Sequence, residues 1–329
     1  MLPDEWADKR ILVKCGGFSS QLAKNVTEEV DGDPLWGSRF DATNPGAVVQ
    51  THLDFLRSGA DIILTNTYQS SVEGFTKYLG LTEAEGIKLM ETSVALAKKA
   101  KEQYLRATGV EESSTFPLVL GSIGPYGACL HDGSEYSGNY ANRVTKDELK
   151  EWHKTRIWSC VSAGVYGLAL ETLPCQLEAE AVTEFVIDLC VKTTFWVSFQ
   201  CKDESHLASG ESFATAGLAI WRLVKSRKAE DRFLGIGVNC VNPQFVTPLL
   251  TSLIEAVGAD ERPPLVVYSN RGEIYDAELG EWTGTGEQVA KFVPEWLNLG
   301  VRIVGGCCRV YPADVLEIRK CVDSYKLDP

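Results

Sequence analysis

The sequence predicts an α/β fold, a single (β/α)8 TIM barrel that spans residues 1–329 as one domain. Three observations predict it. Eight short, mostly apolar runs recur at intervals of roughly 30–55 residues, against about 30 for a minimal barrel unit. Segments with helical periodicity separate these runs, and no obvious linker divides the chain. An open, doubly wound parallel sheet is the alternative, because sequence patterning does not reveal whether a sheet closes.

The eight runs are predicted to be strands that are buried on both faces. Each is rich in apolar or β-branched residues, and nearly all end in glycine, cysteine, an amide, a hydroxyl or a charged side chain. The predicted strands are residues 11–15, 61–65, 118–122, 167–172, 196–200, 234–239, 265–269 and 301–305. Ligands bind at the carboxyl ends of parallel strands in both candidate architectures. We therefore expect the polar strand ends to form one shared site.

Helix-start signals occur between these strands. Asn44 followed by Pro45 is typical of an N-cap and a first-turn proline. The remaining start signals are two capping boxes and two first-turn prolines, found at Thr82 with Glu85, Thr145 with Glu148, Asn242-Pro243 and Pro312. These helices complete the alternation of strand and helix that a barrel requires.

Composition and charge exclude several classes of function. The chain has 32 Lys and Arg residues against 45 Asp and Glu residues, which gives a net charge of −13. Nucleic-acid binding usually needs a basic face, and an anionic membrane surface would repel this chain in the same way. The first ten residues lack the apolar segment of a secretory signal, and no stretch is long and apolar enough to span a bilayer. We expect a cytoplasmic protein with neither nucleic-acid nor membrane partners.

Among the ten cysteines, three lie at the ends of the sixth and eighth predicted strands. In a reducing compartment such thiols are free, catalytic or metal-bound rather than disulfide-linked. Cys240 ends the sixth strand, and Cys307 and Cys308 end the eighth, so a barrel would bring them together beside the seventh. Three thiolates suit zinc and leave a fourth position open. The alternative is that they are small buried apolar residues, because paired Cys-x-x-Cys spacing is absent.

The Cys307-Cys308 pair needs a particular backbone. Adjacent residues of an extended strand point to opposite faces, so both thiols can bind one ion only if the chain leaves the strand there. We expect Gly305 and Gly306 to supply that freedom. A further signal is Glu171, which ends a run that should be deeply buried. Its carboxylate needs a cationic partner, either the ammonium group of a ligand or a structural Arg or Lys.

Seven stretches, taken together, resemble the homocysteine S-methyltransferase family of zinc-dependent thiol methyltransferases. They run from near the first predicted strand to the end of the last. The stretches are Asp33-Pro-Leu-Trp36, Gly59-Ala-Asp-Ile-Ile-Leu-Thr-Asn-Thr-Tyr-Gln69, Gly121-Ser-Ile-Gly-Pro-Tyr-Gly127, Asp132-Gly-Ser-Glu-Tyr136, Glu171-Thr172, Gly237-Val-Asn-Cys240 and Gly305-Gly-Cys-Cys-Arg309. The resemblance implies a (β/α)8 barrel that transfers a methyl group to the thiol of homocysteine and forms methionine.

The resemblance also implies roles for particular residues. Zinc is expected to be the cofactor, held by Cys240, Cys307 and Cys308, with its open position taken by the sulfur of homocysteine. A coordinating thiol is deprotonated outright, so no general base is required at the reacting centre.

The remaining residues that match the family concern the substrate. Glu171 matches the acidic residue that holds the amino group of homocysteine. The backbone of Gly16 and Gly17 matches the turn that lines the same pocket, and Asn239 is expected to orient the end of the sixth strand. The partners are therefore homocysteine and a methyl donor, and we expect a monomer.

Two positions depart from the family pattern. Cys15 stands where the family commonly has an aspartate that shares the substrate ammonium, so it either fills space or adds a fourth thiol near the metal. Arg271 replaces a residue of the usual Pro-Asn-Ser-Gly-Glu stretch and would place a cation near the site. We predict a sulfonium donor, S-methylmethionine first and S-adenosylmethionine second. The alternatives are a betaine-type enzyme, a selenium-containing acceptor, or a catalytically impaired relative because of Cys15.

Overall fold

The computed structural model describes residues 11–111, 113–258, 261–276 and 281–325. Eight parallel strands close into a barrel, in the order β1-β10-β7-β6-β5-β4-β3-β2. The strands, including an antiparallel hairpin of β8 and β9, are β1 Leu12–Lys14, β2 Ile62–Leu64, β3 Leu118–Ile123, β4 Gly167–Leu173, β5 Thr194–Phe199, β6 Phe233–Asn239, β7 Leu265–Ser269, β8 Ile274–Asp276, β9 Glu281–Thr283 and β10 Val301–Gly306. The predicted barrel is confirmed, and the open-sheet alternative is wrong.

Closure depends on the first strand, which pairs on both sides. β1 pairs with β10 through Leu12 opposite Ile303, and with β2 through Lys14 opposite Ile62. β10 continues to β7, which pairs with β6. β7 therefore separates β6 from β10, as expected, and the ends of these three strands lie side by side.

Helices surround the barrel. They are α1 Phe18–Asn25, α2 Phe40–Thr43, α3 Pro45–Arg57, α4 Val72–Leu79, α5 Glu83–Thr108, α6 Lys146–Ser162, α7 Gln176–Leu189, α8 Phe213–Ser226, α9 Pro243–Val257, α10 Val293–Asn298 and α11 Pro312–Ser324. The predicted N-cap of α3 is confirmed, because the side chain of Asn44 accepts a hydrogen bond from the backbone of Ala47. The capping boxes that open α5 and α6 are confirmed as well.

The core lies in two layers, one between strands and helices and one inside the barrel. The strands are buried almost throughout, as expected for a parallel sheet covered on both faces. Large side chains such as Trp196 and Trp296 are fully buried. Polar side chains also enter the barrel, where Tyr268 hydrogen-bonds Ser198 at 2.6 Å and accepts from Trp196 at 3.0 Å.

The barrel strands begin and end within one residue of the prediction except β5, which begins at Thr194, two residues before the predicted start. The β8–β9 hairpin was not predicted. Among the described residues, no helix is both long and apolar enough to cross a membrane.

Candidate active site

A cavity of about 230 Å³ opens at the carboxyl ends of the barrel strands. Residues from at least five strand ends line it, together with the loop that follows β3. The lining residues used below are Cys15, Gly16, Gly17, Trp36, Tyr68, Glu135, Tyr136, Glu171, Thr172, Cys240, Cys307 and Cys308. One shared pocket therefore collects the strand ends, as the sequence predicts.

The thiols of Cys240, Cys307 and Cys308 meet in this cavity. The Cys240 sulfur lies 3.0 Å from that of Cys307 and 3.5 Å from that of Cys308. All three sulfur atoms lie within 4.8 Å of one another. Hydrogen bonding with the neighbouring thiols, together with the nearby charge of Lys14, holds the pKa of Cys307 well below its usual value. The geometry therefore collects three soft ligand atoms, one of them predisposed to be a thiolate.

Backbone bends at the strand ends allow this convergence. Cys240 follows β6 with φ at 53°, a left-handed conformation that turns its side chain out of the strand alternation. β10 continues through Gly305 and Gly306, so the expected bend begins one residue later, and the left-handed residue is Arg309 at φ 64°. A Cβ on Gly305 would lie 2.5 Å from the carbonyl oxygen of Lys14. Glycine is needed at position 305 because the neighbouring strand is too close for a side chain, and not because φ is positive there.

The Gly16-Gly17 turn packs directly on the thiol-bearing turn. A Cβ on Gly16 would lie 2.2 Å from the carbonyl oxygen of Val310, and one on Gly17 would lie 2.6 Å from that of Cys307. The backbone of Gly17 also donates to the carbonyl of Val310 at 2.9 Å. No side chain fits at either glycine, and the Gly16-Gly17 turn therefore packs tightly against the thiol cluster.

Glu171 lies at the cavity wall near the end of β4 and is 5% exposed. The hydroxyl of Ser122 donates to its carboxylate. Burial raises the pKa of Glu171, and the positive charge of Lys14 opposes that rise. The sequence left open whether the cationic partner of Glu171 is a structural lysine or a ligand ammonium. The structure places the charge of Lys14 nearby, and Glu171 also lines the cavity where a ligand could bind.

Lys14 is a buried cationic residue of the cavity wall that sequence reasoning missed. It is 4% exposed, and its ammonium donates to the carbonyls of Gly306 at 3.0 Å and Gly16 at 3.3 Å. It also lies 4.7 Å from the centroid of the Tyr268 ring. The one available signal was a lysine in an otherwise apolar strand. Lys14 links the Gly16-Gly17 turn to Gly306, the residue that precedes Cys307, and brings a positive charge to the site.

Asn239, predicted to orient the end of the sixth strand, makes its hydrogen bonds to two neighbouring strands. It is fully buried and does not line the cavity. Its Oδ1 accepts hydrogen bonds from the backbone of Thr172 at 2.7 Å and from Ser198 at 2.8 Å, and its Nδ2 donates to the hydroxyl of Thr172 at 2.7 Å. Thr172, a β-branched residue, has φ at 60°, which is strained. Asn239 therefore fixes the position of Thr172, which directly follows Glu171.

The two departures from the family pattern have different outcomes. Cys15 lines the cavity and is 2% exposed, but its thiol is not part of the group of candidate metal ligands found among the described residues. The expectation that Arg271 would place a cation at the site is wrong. Arg271 does not line the cavity, and its guanidinium lies against Gly286. Lys14 instead brings a positive charge to the cavity, and it lies on β1, which pairs with β10 on the side opposite to β7.

The loop after β3 forms the outer wall. Its short helices Tyr126–Leu130 and Ser134–Tyr136 bring Glu135 and Tyr136 to the cavity, so it is more than a plain surface loop. Glu178 of α7 anchors the loop, because its carboxylate accepts from the backbone of Tyr126 at 2.6 Å and from the hydroxyl of Tyr140. His153 lies 2.7 Å from the same carboxylate.

Comparisons with known proteins agree with this architecture. A family model described as Homocysteine S-methyltransferase matches residues 12–322. The betaine-homocysteine S-methyltransferase of Drosophila melanogaster is 72% identical over 324 residues, with 98% of each chain covered. The homocysteine S-methyltransferase YbgG of Bacillus subtilis is 37% identical, with 96% of each chain covered.

A solved structure leads to the same family. The metallated form of the homocysteine methyltransferase MmuM from Escherichia coli aligns with a TM-score of 0.81 and 32% identity. The alignment covers 97% of this chain and 99% of MmuM. The chain therefore belongs to the homocysteine S-methyltransferase family and is a methyltransferase.

Proposed function

We propose that this protein transfers a methyl group from an onium donor to the thiol of homocysteine, forming methionine, with zinc as its cofactor. The observation that carries the proposal is the convergence of three thiols, within 4.8 Å of one another, in a cavity that also exposes Glu171. Two relatives named for homocysteine methylation match nearly the whole chain, which supports the same acceptor.

The chemistry of the thiol cluster supports zinc. Thiolates bound about 2.3 Å from a tetrahedral zinc lie roughly 3.8 Å apart. Two of the sulfur separations are 3.0 and 3.5 Å, so Cys240, Cys307 and Cys308 could hold the ion after small side-chain adjustments. A structural zinc site normally has four protein ligands, whereas the described residues offer three here. When bound, zinc would supply a Lewis acid that keeps the acceptor sulfur deprotonated at neutral pH.

The protein's own groups would bind and orient the acceptor. Glu171 would receive the ammonium of homocysteine, and the positive charge of Lys14 opposes the rise in the pKa of Glu171 that burial causes. The Gly16-Gly17 turn would close the pocket against Cys307. The acceptor thiolate attacks the methyl carbon in line as the bond from that carbon to the donor breaks. Orientation of the two reactants is then the main contribution of these side chains.

The donor is proposed to be a sulfonium, S-methylmethionine first and S-adenosylmethionine second. Trp36, Tyr68 and Tyr136 line the cavity, and aromatic faces attract onium cations. A sulfonium leaves as a neutral thioether, which a pocket of low polarity favours. Glycine betaine is the alternative to a sulfonium donor, and the 72% identical relative named betaine-homocysteine S-methyltransferase favours it.

We further propose that residues 1–329 form one homocysteine-binding domain, monomeric and cytoplasmic. All ten cysteines are free in this structure, which supports a reducing compartment.

The test is a matrix of donors and acceptors on zinc-loaded protein. S-methylmethionine, S-adenosylmethionine and betaine are each combined with homocysteine or selenohomocysteine, and the methylated product is measured by mass spectrometry. We expect methionine from homocysteine, fastest with S-methylmethionine. Absence of product with all three donors would contradict the proposal. Calorimetric binding of homocysteine without turnover, with activity restored by Cys15→Asp, would support an impaired relative instead.

A further inference from the structure

We propose that Glu135 binds a second cationic group of the methyl donor, the α-ammonium of an amino-acid sulfonium, and so selects such donors over betaine. The inference rests on the proposed function, since it assigns a donor to the same cavity. It concerns a carboxylate that the reaction described above does not use.

The position of Glu135 places it on the donor side of the site. It belongs to the short helix Ser134–Tyr136 on the outer wall and lines the cavity. Burial, followed by the nearby charges of groups including Glu135 and Cys240, raises the pKa of the Tyr68 and Tyr136 phenols. The Glu135 carboxylate therefore lies within electrostatic range of both aromatic side chains, and each of these also lies within range of Cys240. A molecule that presents a methyl group to the thiols would pass close to it.

Glu135 lacks a cationic partner among the described residues. Its Oε2 is inaccessible to solvent and accepts no hydrogen bond. Glu171 differs in this respect, because it has Ser122 and the charge of Lys14. A half-buried carboxylate that lacks a cationic partner carries an uncompensated charge, and a ligand ammonium would compensate that charge. Burial, the main cause, raises the pKa of Glu135 to about 7, as expected for a site completed by a cation.

The loop holds Glu135 in place before a ligand binds. A Cβ on Gly127 would lie 2.7 Å from the backbone nitrogen of Glu135, so the two short helices of the loop are closely packed. The backbone nitrogen of Tyr136 donates to Gly133 at 2.9 Å, and that of Gly138 donates to Ser134 at 2.7 Å. These contacts favour a preformed binding group over a mobile surface carboxylate.

The two candidate donors differ in net charge and in the number of cationic groups that Glu135 could bind. S-methylmethionine has a sulfonium, an ammonium and a carboxylate, so it carries a net positive charge. Glycine betaine has one quaternary ammonium and one carboxylate, so it is neutral overall and lacks a second cation. A second carboxylate in the pocket attracts the first molecule and repels the carboxylate of the other.

The test is calorimetry with zinc-loaded full-length protein in the absence of homocysteine, so that turnover is not required. The probes are S-methyl-L-methionine and dimethylsulfoniopropionate, a sulfonium without an ammonium. Glu135→Gln should weaken S-methylmethionine binding by about tenfold or more and change dimethylsulfoniopropionate binding by less than about twofold. Glu102→Gln, an exposed change on α5 outside the cavity, is the matched control and should alter neither.

Three results would overturn the inference: equal weakening of both probes, no weakening of either, or a wild-type protein that binds S-methylmethionine no more tightly than dimethylsulfoniopropionate. Failure of the proposed function is distinguishable, because it appears as absence of methionine in the turnover assay. Glu135→Asp keeps the charge and should retain more S-methylmethionine affinity than Glu135→Gln.

Discussion

The amide side chain of Asn239 makes two hydrogen bonds with Thr172, both at 2.7 Å. It accepts one from the backbone nitrogen of Thr172 and donates the other to the hydroxyl. Thr172 has φ at 60° and directly follows Glu171. The two hydrogen bonds therefore fix the strained residue beside the proposed substrate carboxylate, from a position immediately before Cys240. This contact couples the substrate side of the pocket to the thiol side.

Asn239→Ala should relax this arrangement. Loss of the buried hydrogen bonds should lower the free energy of unfolding by about 2–4 kcal/mol and raise the KM for homocysteine, because Glu171 loses its fixed position. Urea denaturation and steady-state kinetics check both. Asn298→Ala, at an exposed residue of α10, should change stability by less than about 1 kcal/mol. An unchanged KM for homocysteine in the Asn239→Ala variant would contradict the predicted effect of this residue on substrate binding.

Removal of single thiols should distinguish metal ligands from other cysteines. Cys240→Ala and Cys308→Ala should lose zinc and activity together, because two thiols are a poor zinc site. Cys15→Ala should keep zinc at full stoichiometry, since its thiol lies outside the cluster. Cys160→Ala is a second control, at a buried thiol outside the cavity. Elemental analysis of the purified variants gives the stoichiometry. Full zinc in both ligand variants would refute the assignment.

Donor binding should depend on pH through Glu135. Its pKa is raised to about 7, mainly by burial and in part by the charge of Asp132. The ionised form attracts a cationic donor, so the KM for S-methylmethionine should fall as pH rises from about 6 to about 8. Glu135→Gln should remove this fall in KM, so that any remaining change of KM with pH comes from other titratable groups. Parallel pH profiles for the wild type and the variant would contradict the role of this carboxylate.

Lys14→Met should impair homocysteine binding through Glu171. Burial raises the pKa of Glu171 and Lys14 opposes the rise, so removal of the lysine should raise that pKa further. More of the carboxyl is then protonated, and the KM for homocysteine should increase most at the acidic end of the pH profile. Lys24→Met is the control, because that lysine is exposed and lies over Tyr311. An unshifted profile would mean that Lys14 has only a structural role.

Strand periodicity and helix caps were sufficient to predict the alternation of strands and helices, but not the closure of the barrel. Helix starts such as Asn44-Pro45 depend on local hydrogen bonds, which sequence reveals directly. Barrel closure depends on the long-range pairing of β1 with β10, which no local pattern contains. Here the number of strands and the family resemblance pointed to the correct architecture.

The site was predictable only in part. Cys240, Cys307, Cys308 and Glu171 could be found because they interrupt or end apolar strands. Arg271 was misplaced, since its position after β7 does not determine where a long side chain points.

Two other residues needed the tertiary structure. The charge of Lys14 is compensated by carbonyls of Gly16 and Gly306, which are 290 residues apart from each other in the chain. Glu135 stands out only once its carboxylate is seen to lie in the pocket without a cationic partner among the residues that the structure describes.

Zinc K-edge X-ray absorption tests most directly whether the acceptor sulfur completes the coordination of a zinc held by three cysteines. The spectra are recorded on zinc-loaded protein before and after saturation with homocysteine. We expect three sulfur ligands at about 2.3 Å without homocysteine and four with it. A sulfur count that stays the same after saturation would contradict the central claim.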